Sequence, residues 1–185
     1  MKLLVYGSSE FGAVLRDVLA DCGHEFAGFI DDVHPGNPGV LGTFAQVRTS
    51  HPPSAAALVL AIGYKHFEAR RKIFESARAA GYGFPCLVHP AAHVHPSAKL
   101  GAGAVVMARA IVDRGASVGE ACVLWPGVNV SHDSRIGPNT FASPSAVVCG
   151  FAEVGRDCFL GAGSVIADHR TVPDGSFVKA GSVFA

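Results

Sequence analysis

The chain has 185 residues, of which 49% are hydrophobic and 16% are charged, and its formal net charge at pH 7 is zero. This balance allows a packed core in one or two domains and argues against disorder. No run of Lys or Arg suggests a nucleic-acid or membrane partner, and no apolar stretch is long enough to span a bilayer. The five cysteines include no C-x-x-C pair, so we expect reduced thiols and a cytoplasmic location.

The first part of the chain alternates apolar strand patterns with helical patterns. Strand, helix, strand, loop, strand and helix in this order predict a small parallel α/β domain of the Rossmann-like type, which we place at residues 1–85. The segments are the strand KLLVYG, a helix ending at Gly23, the strand HEFAGFIDD, the loop PGNPGVLG, the strand AALVLAIG and a helix ending at Gly81.

The candidate substrate-binding residues follow the strands of this domain. A Gly/Ser turn between a strand and a helix can cradle a phosphate with backbone N–H groups, and carboxylates after the next strand can accept hydrogen bonds from a ribose or base. The dinucleotide fingerprint is incomplete because Ser9 replaces its middle glycine, so the pattern favours a nucleotide over NAD. The alternative is a structural turn beside solvated acids. The candidates are Gly7, Ser8, Ser9, Asp31, Asp32 and Tyr64.

From Val94 to Val178 an aliphatic or small residue recurs every six positions, fifteen times in succession. A period of six fits neither a helix nor an alternating strand, and it is typical of the hexapeptide solenoid of short parallel strands. Three hexads complete one triangular coil, and stacked coils bury a continuous core. Residues 86–185 are therefore predicted to form a parallel β-helix of about five coils.

The segment VSHDSR places a histidine beside a carboxylate within this repeat. Neutral imidazole can take a proton from an attacking group near pH 7, and a carboxylate can fix its tautomer. Adjacent side chains of an extended segment point apart, so contact between His132 and Asp133 requires a turn. The alternative is a solvated surface histidine.

Together these features resemble the bacterial sugar-nucleotide acetyltransferases of the sialic acid O-acetyltransferase-like family, whose members carry hexapeptide repeats. The resemblance covers the chain through GSSEFG, FIDD, AIGYK, SHDSRIG and GAGSVI. It implies a left-handed β-helix, a homotrimer, acetyl-CoA bound between neighbouring helices, and a nucleotide-linked sugar on the N-terminal domain. It further implies that His132 is the general base and Asp133 its acidic partner.

The coil length and the resemblance extend the candidate site. Gly150 follows His132 by one coil, and its open N–H group could stabilise a thioester oxygen as charge develops. The family pattern points to Ala162 and Ala180 for the acetyl-CoA chain. Many relatives carry a second histidine nine residues after the first, where this chain has Phe141.

We therefore expect an acetyl-CoA-dependent N-acetyltransferase that acts on a nucleotide-linked amino sugar in polysaccharide biosynthesis. Transfer would be direct, in a ternary complex, without a metal. Two alternatives remain open: an O-acetyltransferase acting on a sialic acid or another sugar hydroxyl, and a non-catalytic trimeric protein that binds a nucleotide sugar.

Overall fold

In the computed structural model, which describes all 185 residues, a three-stranded parallel sheet organises the unit Met1–Pro85. Its strands are β1 (Lys2–Tyr6), β2 (Glu25–Ile30) and β3 (Ala57–Leu60), in the order β2-β1-β3. The central strand is buried from Leu3 onward, as a continuous apolar run in a parallel sheet requires.

Three helices accompany this sheet: α1 (Glu10–Asp21), α2 (Phe44–Ser50) and α3 (Phe67–Ala79), with a single 3-10 turn at Tyr64–His66. The first buries Leu15 and Leu19, as its apolar spacing predicts. The sequence did not predict α2. The Rossmann-like α/β character of this unit is confirmed.

The unit Cys86–Ala185 is a solenoid of two-residue strands. Face 1 contains β4 (Leu87–Val88), β7 (Val105–Val106), β10 (Val123–Leu124), β13 (Phe141–Ala142), β16 (Phe159–Leu160) and β19 (Phe177–Val178). Face 2 contains β5 (His93–Val94), β8 (Ile111–Val112), β11 (Asn129–Val130), β14 (Val147–Val148), β17 (Val165–Ile166) and β20 (Val183–Phe184). Face 3 contains β6 (Lys99–Leu100), β9 (Ser117–Val118), β12 (Arg135–Ile136), β15 (Glu153–Val154) and β18 (Thr171–Val172).

The register of this solenoid places residues eighteen apart directly above one another, as Asn129 and Val147 show. The second residue of each strand points inward, and Val130 and Leu160 are fully buried in one continuous core. This arrangement confirms the parallel β-helix predicted from the six-residue period. The same register decides which corner residues meet.

No helix of the structure is both long and apolar enough to cross a membrane. The structure also contains no group of three or more His, Cys, Asp and Glu side chains that could hold a metal ion.

Candidate functional site

His132 and Asp133 occupy the corner between β11 on face 2 and β12 on face 3. Asp133 adopts a left-handed backbone conformation, with φ of 57°. This turn lets two adjacent side chains converge, so His132 Nδ1 lies 3.2 Å from Asp133 Oδ2. The contact that an extended segment would forbid is therefore made at this corner.

The hydrogen bond to Asp133 fixes the roles of the two ring nitrogens. A carboxylate accepts hydrogen bonds, so Nδ1 carries the proton and Nε2 keeps a free lone pair in the neutral ring. The His132 side chain is 48% exposed, which leaves that lone pair accessible to a substrate. The arrangement therefore supplies an oriented base at the solenoid surface.

Gly150 lies one coil beyond His132 and packs against its ring. A Cβ added to Gly150 would stand 2.8 Å from Cε1 and 2.9 Å from Nε2 of His132. The Gly150 N–H group donates no hydrogen bond to another backbone group of the chain. The residue that packs against the basic nitrogen therefore keeps an open N–H donor.

Sequence reasoning missed two neighbours of this pair. The guanidinium of Arg114, one coil before His132, donates to Asp133 Oδ2 at 3.0 Å. The ring of Phe151 meets the His132 ring edge-on at 5.3 Å and stacks on His169 at 4.8 Å. The eighteen-residue spacing could have identified both, because Arg114 precedes His132 by one coil and Phe151 follows Asp133 by one coil.

Ala162 and Ala180 lie at a different corner, between face 1 and face 2. They are exposed, stand one coil apart, and donate no backbone hydrogen bond through their N–H groups. The chain therefore presents a column of open donors there, but it does not bring them to the corner of His132. Phe141 is also distant from that corner, since it is buried on face 1 against Trp125 and Phe159.

The Gly/Ser turn of the N-terminal unit is built from close backbone packing. Gly7 has φ of 113°, and a Cβ there would stand 2.6 Å from the Ala61 carbonyl oxygen. Gly12 lets α1 approach the turn, because its Cβ would meet the Gly7 oxygen at 2.3 Å. Ser9 occupies the N-cap position of α1 without a side-chain capping bond.

Asp31 ties this turn to the loop after β2. It accepts hydrogen bonds from the Ser8 hydroxyl and N–H group, and from the N–H groups of Val33 and His34 at 2.9 Å each. Burial alone would raise the pKa of Asp31, but these hydrogen bonds to its charged form outweigh burial and lower the pKa. The carboxylate therefore stays ionised beside the phosphate-binding candidate.

Asp32 links β1 to the start of α2. It accepts hydrogen bonds from the Tyr6 hydroxyl and from the Phe44 N–H group at 2.7 Å, at the start of α2. Burial, together with the hydrogen bond to Asp32, raises the pKa of Tyr6 above its ordinary value, so the phenol stays protonated.

A cavity of about 370 Å³ adjoins Asp32. Its size lies within the range of small-ligand sites. Tyr64, in the 3-10 turn after β3, does not line it. Its other lining residues are Tyr6, Phe44, Ala45, Lys72, Ile73 and Ser76.

Two family models match the sequence. The PglD N-terminal domain matches residues 2–77, and the bacterial transferase hexapeptide model, with six repeats, matches residues 133–168. No curated protein sequence gives a significant match.

The acetyltransferase domain of PglB from Neisseria gonorrhoeae FA1090, solved with acetyl coenzyme A, is 30% identical to this chain, with a TM-score of 0.88. The match covers 100% of this chain and 90% of that domain. Perosamine N-acetyltransferase from Caulobacter crescentus was solved with CoA and GDP-perosamine in a form with one histidine changed to asparagine. It is 26% identical, with a TM-score of 0.76, over 97% of this chain and 93% of that one. The chain therefore belongs to the hexapeptide-repeat sugar acetyltransferases, acyltransferases built on a left-handed β-helix.

Proposed function

We propose that the chain is an acetyl-CoA-dependent N-acetyltransferase that acts on a nucleotide-linked amino sugar, with His132 as its general base. The observation that carries this proposal is the corner of the solenoid where Asp133 contacts Nδ1 of His132 and the Nε2 side of the ring packs against Gly150, whose N–H group makes no backbone hydrogen bond. A base and an oxyanion donor at one point are what acyl transfer requires.

The reaction follows from these two groups. The sugar amine attacks the thioester carbon, and its excess proton passes to Nε2 of His132 as the C–N bond forms. Asp133 stabilises the resulting imidazolium through Nδ1. The carbon–sulfur bond then breaks, and the departing CoA sulfur takes the proton from Nε2. The imidazole returns to its neutral form and the amide product is released.

Gly150 serves the same step from its backbone. The negative charge on the thioester oxygen grows as the amine attacks, and a fixed N–H donor stabilises that charge without reorganisation. The His132 ring lies against the α-carbon of Gly150, so base and donor keep a constant separation.

The acyl donor fits the column at the other corner. Ala162 and Ala180 offer N–H groups one coil apart without side chains that obstruct them, and an extended pantetheine chain carries amide carbonyls that accept from such donors. Within a single chain, this column and His132 lie at different corners of the solenoid. We therefore propose a homotrimer in which a neighbouring copy supplies the column to each His132. The PglB relative, solved with acetyl coenzyme A, supports this choice of donor.

The N-terminal unit supplies the groups for the sugar nucleotide. Its turn at Gly7, Ser8 and Ser9 precedes α1, where backbone N–H groups and the helix dipole favour phosphate. Asp31, Asp32 and Tyr64 are proposed to contact the nucleoside. Asp32 accepts two hydrogen bonds and keeps acceptor capacity, whereas Asp31 already accepts four and would exchange one of them for the ligand. The perosamine enzyme, solved with CoA and GDP-perosamine together, supports a ternary complex and an amine acceptor.

The test is acetyl-CoA turnover with UDP-, dTDP- and GDP-linked amino sugars, each beside the same sugar carrying a hydroxyl in place of the amine. Release of free thiol with one amino sugar, and product heavier by one acetyl group, are the expected results. Turnover with the hydroxyl sugars alone would establish O-acetylation instead. Tight binding of a nucleotide sugar with no turnover on any acceptor would establish a binding protein.

A further inference from the structure

Arg114 approaches the same carboxylate oxygen that the catalytic candidate uses. One guanidinium nitrogen lies 3.0 Å from Asp133 Oδ2, and that oxygen lies 3.2 Å from His132 Nδ1. One oxygen therefore receives hydrogen bonds from a permanent cation and from the imidazole. Any movement of the arginine therefore changes how much of the Asp133 charge is offset, and where the carboxylate lies relative to the imidazole.

The coil beneath the pair also provides a recess for this carboxylate. Gly115 follows Arg114, and a Cβ there would stand 2.4 Å from Asp133 Oδ1. One carboxylate oxygen thus rests over a glycine while the other is bound by an arginine. Because the two supporting residues precede the pair by one coil, the solenoid register itself sets the orientation of Asp133.

We propose that Arg114 is a positioning residue that orients Asp133 toward His132 and offsets part of its negative charge. This inference rests on the proposed function only in taking His132 as the base. The arginine side chain is 65% exposed and the aspartate 29%, so the pair contributes little to folding stability. We therefore assign Arg114 a role in orienting the His132–Asp133 pair and not in folding.

The charge balance gives the direction of the effect. A carboxylate alone favours the protonated imidazole, whereas a carboxylate already paired with a guanidinium favours it less. Arg114 therefore weakens the stabilisation that Asp133 gives to the imidazolium, which favours the neutral ring that accepts the substrate proton. The other ionisable groups of this corner column lie one coil or more on either side of the pair: His95, Asp113, Cys149, Asp168, His169 and Arg170.

The experiment compares Arg114→Met, Arg114→Lys and a matched control, Arg156→Met. Arg156 and Asp174 form an exposed arginine–aspartate pair at another corner, eighteen residues apart where Arg114 and Asp133 are nineteen apart, with an N–O distance of 3.1 Å. NMR titration of labelled histidine follows His132 directly, with its signal assigned by His132→Ala among the nine histidines. This readout does not depend on turnover, so it separates failure of this inference from failure of the proposed function.

We expect the NMR midpoint of His132 to lie at higher pH in Arg114→Met than in the wild type, because an unpaired carboxylate stabilises the imidazolium more. In turnover, kcat should fall roughly three- to tenfold with the acid limb displaced in the same direction and KM for acetyl-CoA unchanged. Arg114→Lys should restore most of the titration midpoint, and Arg156→Met should change neither readout.

A double variant completes the test. If Arg114 acts through Asp133, Arg114→Met should have no further effect on the titration or on kcat in an Asp133→Asn background. An unmoved His132 midpoint in Arg114→Met, equal effects from Arg156→Met, or undiminished effects in the Asp133→Asn background would each overturn the inference.

Discussion

Gly150 contributes to the site because it has no Cβ, which leaves room for the His132 ring. The His132 ring occupies the space where a Cβ would be, with two ring atoms within 3.0 Å of that position. The backbone of Gly150 does not need glycine for its conformation, because its φ is not positive. The constraint on this position therefore comes from the imidazole.

Gly150→Ala should lower kcat by about 10²-fold, because a methyl group displaces the ring by a distance that disrupts proton transfer. The melting temperature should stay within a few degrees, since alanine suits this backbone conformation. Steady-state kinetics and thermal unfolding check both expectations. Gly36→Ala is the control, because a Cβ there meets nothing within 4 Å. Full activity in Gly150→Ala would contradict the assigned geometry.

Asp31 makes the stability of the N-terminal unit depend on pH. Its folded-state pKa is lowered, so its contribution is complete above the unfolded-state pKa and is lost as pH falls through the folded value. We expect the free energy of unfolding to decline below about pH 4. Asp31→Asn should be less stable at pH 7 and decline less on acidification. Urea unfolding across this range measures both, and an equally steep decline in the variant would refute the assignment.

At the scale of the element, each corner of the solenoid buries a small residue, and its polar atoms must find partners. Ser134 is fully buried, and its hydroxyl donates to the Ser131 carbonyl oxygen at 2.6 Å. Ser164 is equally buried at the corner between face 1 and face 2, but its hydroxyl has no hydrogen-bond partner. The two serines therefore contribute oppositely to stability.

Ser164→Ala should raise the free energy of unfolding by about 1 kcal/mol, because it removes an unsatisfied hydroxyl. Ser134→Ala should lower it by about 1 kcal/mol, because it removes a made hydrogen bond. Chemical denaturation of the two variants, which differ from the parent by the same atom, gives the comparison. Equal destabilisation by both would show that the Ser164 hydroxyl is satisfied.

The solenoid could be predicted from the sequence because its core signal repeats without interruption. The prediction of the N-terminal unit was less complete, because α2 has only seven residues and no long apolar period. Its signal was the capping box, in which the Thr43 and Gln46 side chains exchange hydrogen bonds with each other's backbone. That T-x-x-Q pattern after a glycine could have revealed the helix.

The candidate site was predicted in part. His132 and Asp133 are adjacent in sequence, and Gly150 follows at the coil length, so a family resemblance and a period were sufficient to propose them. The period places Arg114 and Phe151 at the same corner, but their contacts with the pair depend on side-chain conformations that the period does not give. Asp31 and Asp32 were proposed as ligands, and their bonds to Ser8 and Tyr6 depend on a strand order that propensity does not specify.

At the scale of the whole molecule, the chain separates the base from the proposed acetyl-CoA column. His132 lies at the corner between faces 2 and 3, and Ala162 lies at the corner between faces 1 and 2. If neighbouring copies of a homotrimer complete each site, two inactive variants should complement each other. A site formed within one chain would allow no such recovery.

Co-expressed His132→Ala and Ala162→Trp chains should therefore regain about one quarter of the wild-type activity, because random mixing makes one interface in four intact. Each variant alone should be inactive: the first lacks the base, and the second blocks the exposed donor column. Mixed trimers purified through two affinity tags have one intact site in three and should show about one third of the wild-type activity. Absence of recovery in mixed trimers would place both residues of a site in one chain.

The most direct test of His132 as the general base is the initial rate of acetyl-CoA consumption with the preferred nucleotide-linked amino sugar, measured for the wild type, His132→Ala and His132→Asn. If His132 is the general base, kcat should fall by about 10²- to 10⁴-fold in both variants, with nucleotide-sugar binding and the melting temperature preserved. Turnover at the wild-type rate in either variant would contradict it and place the base elsewhere.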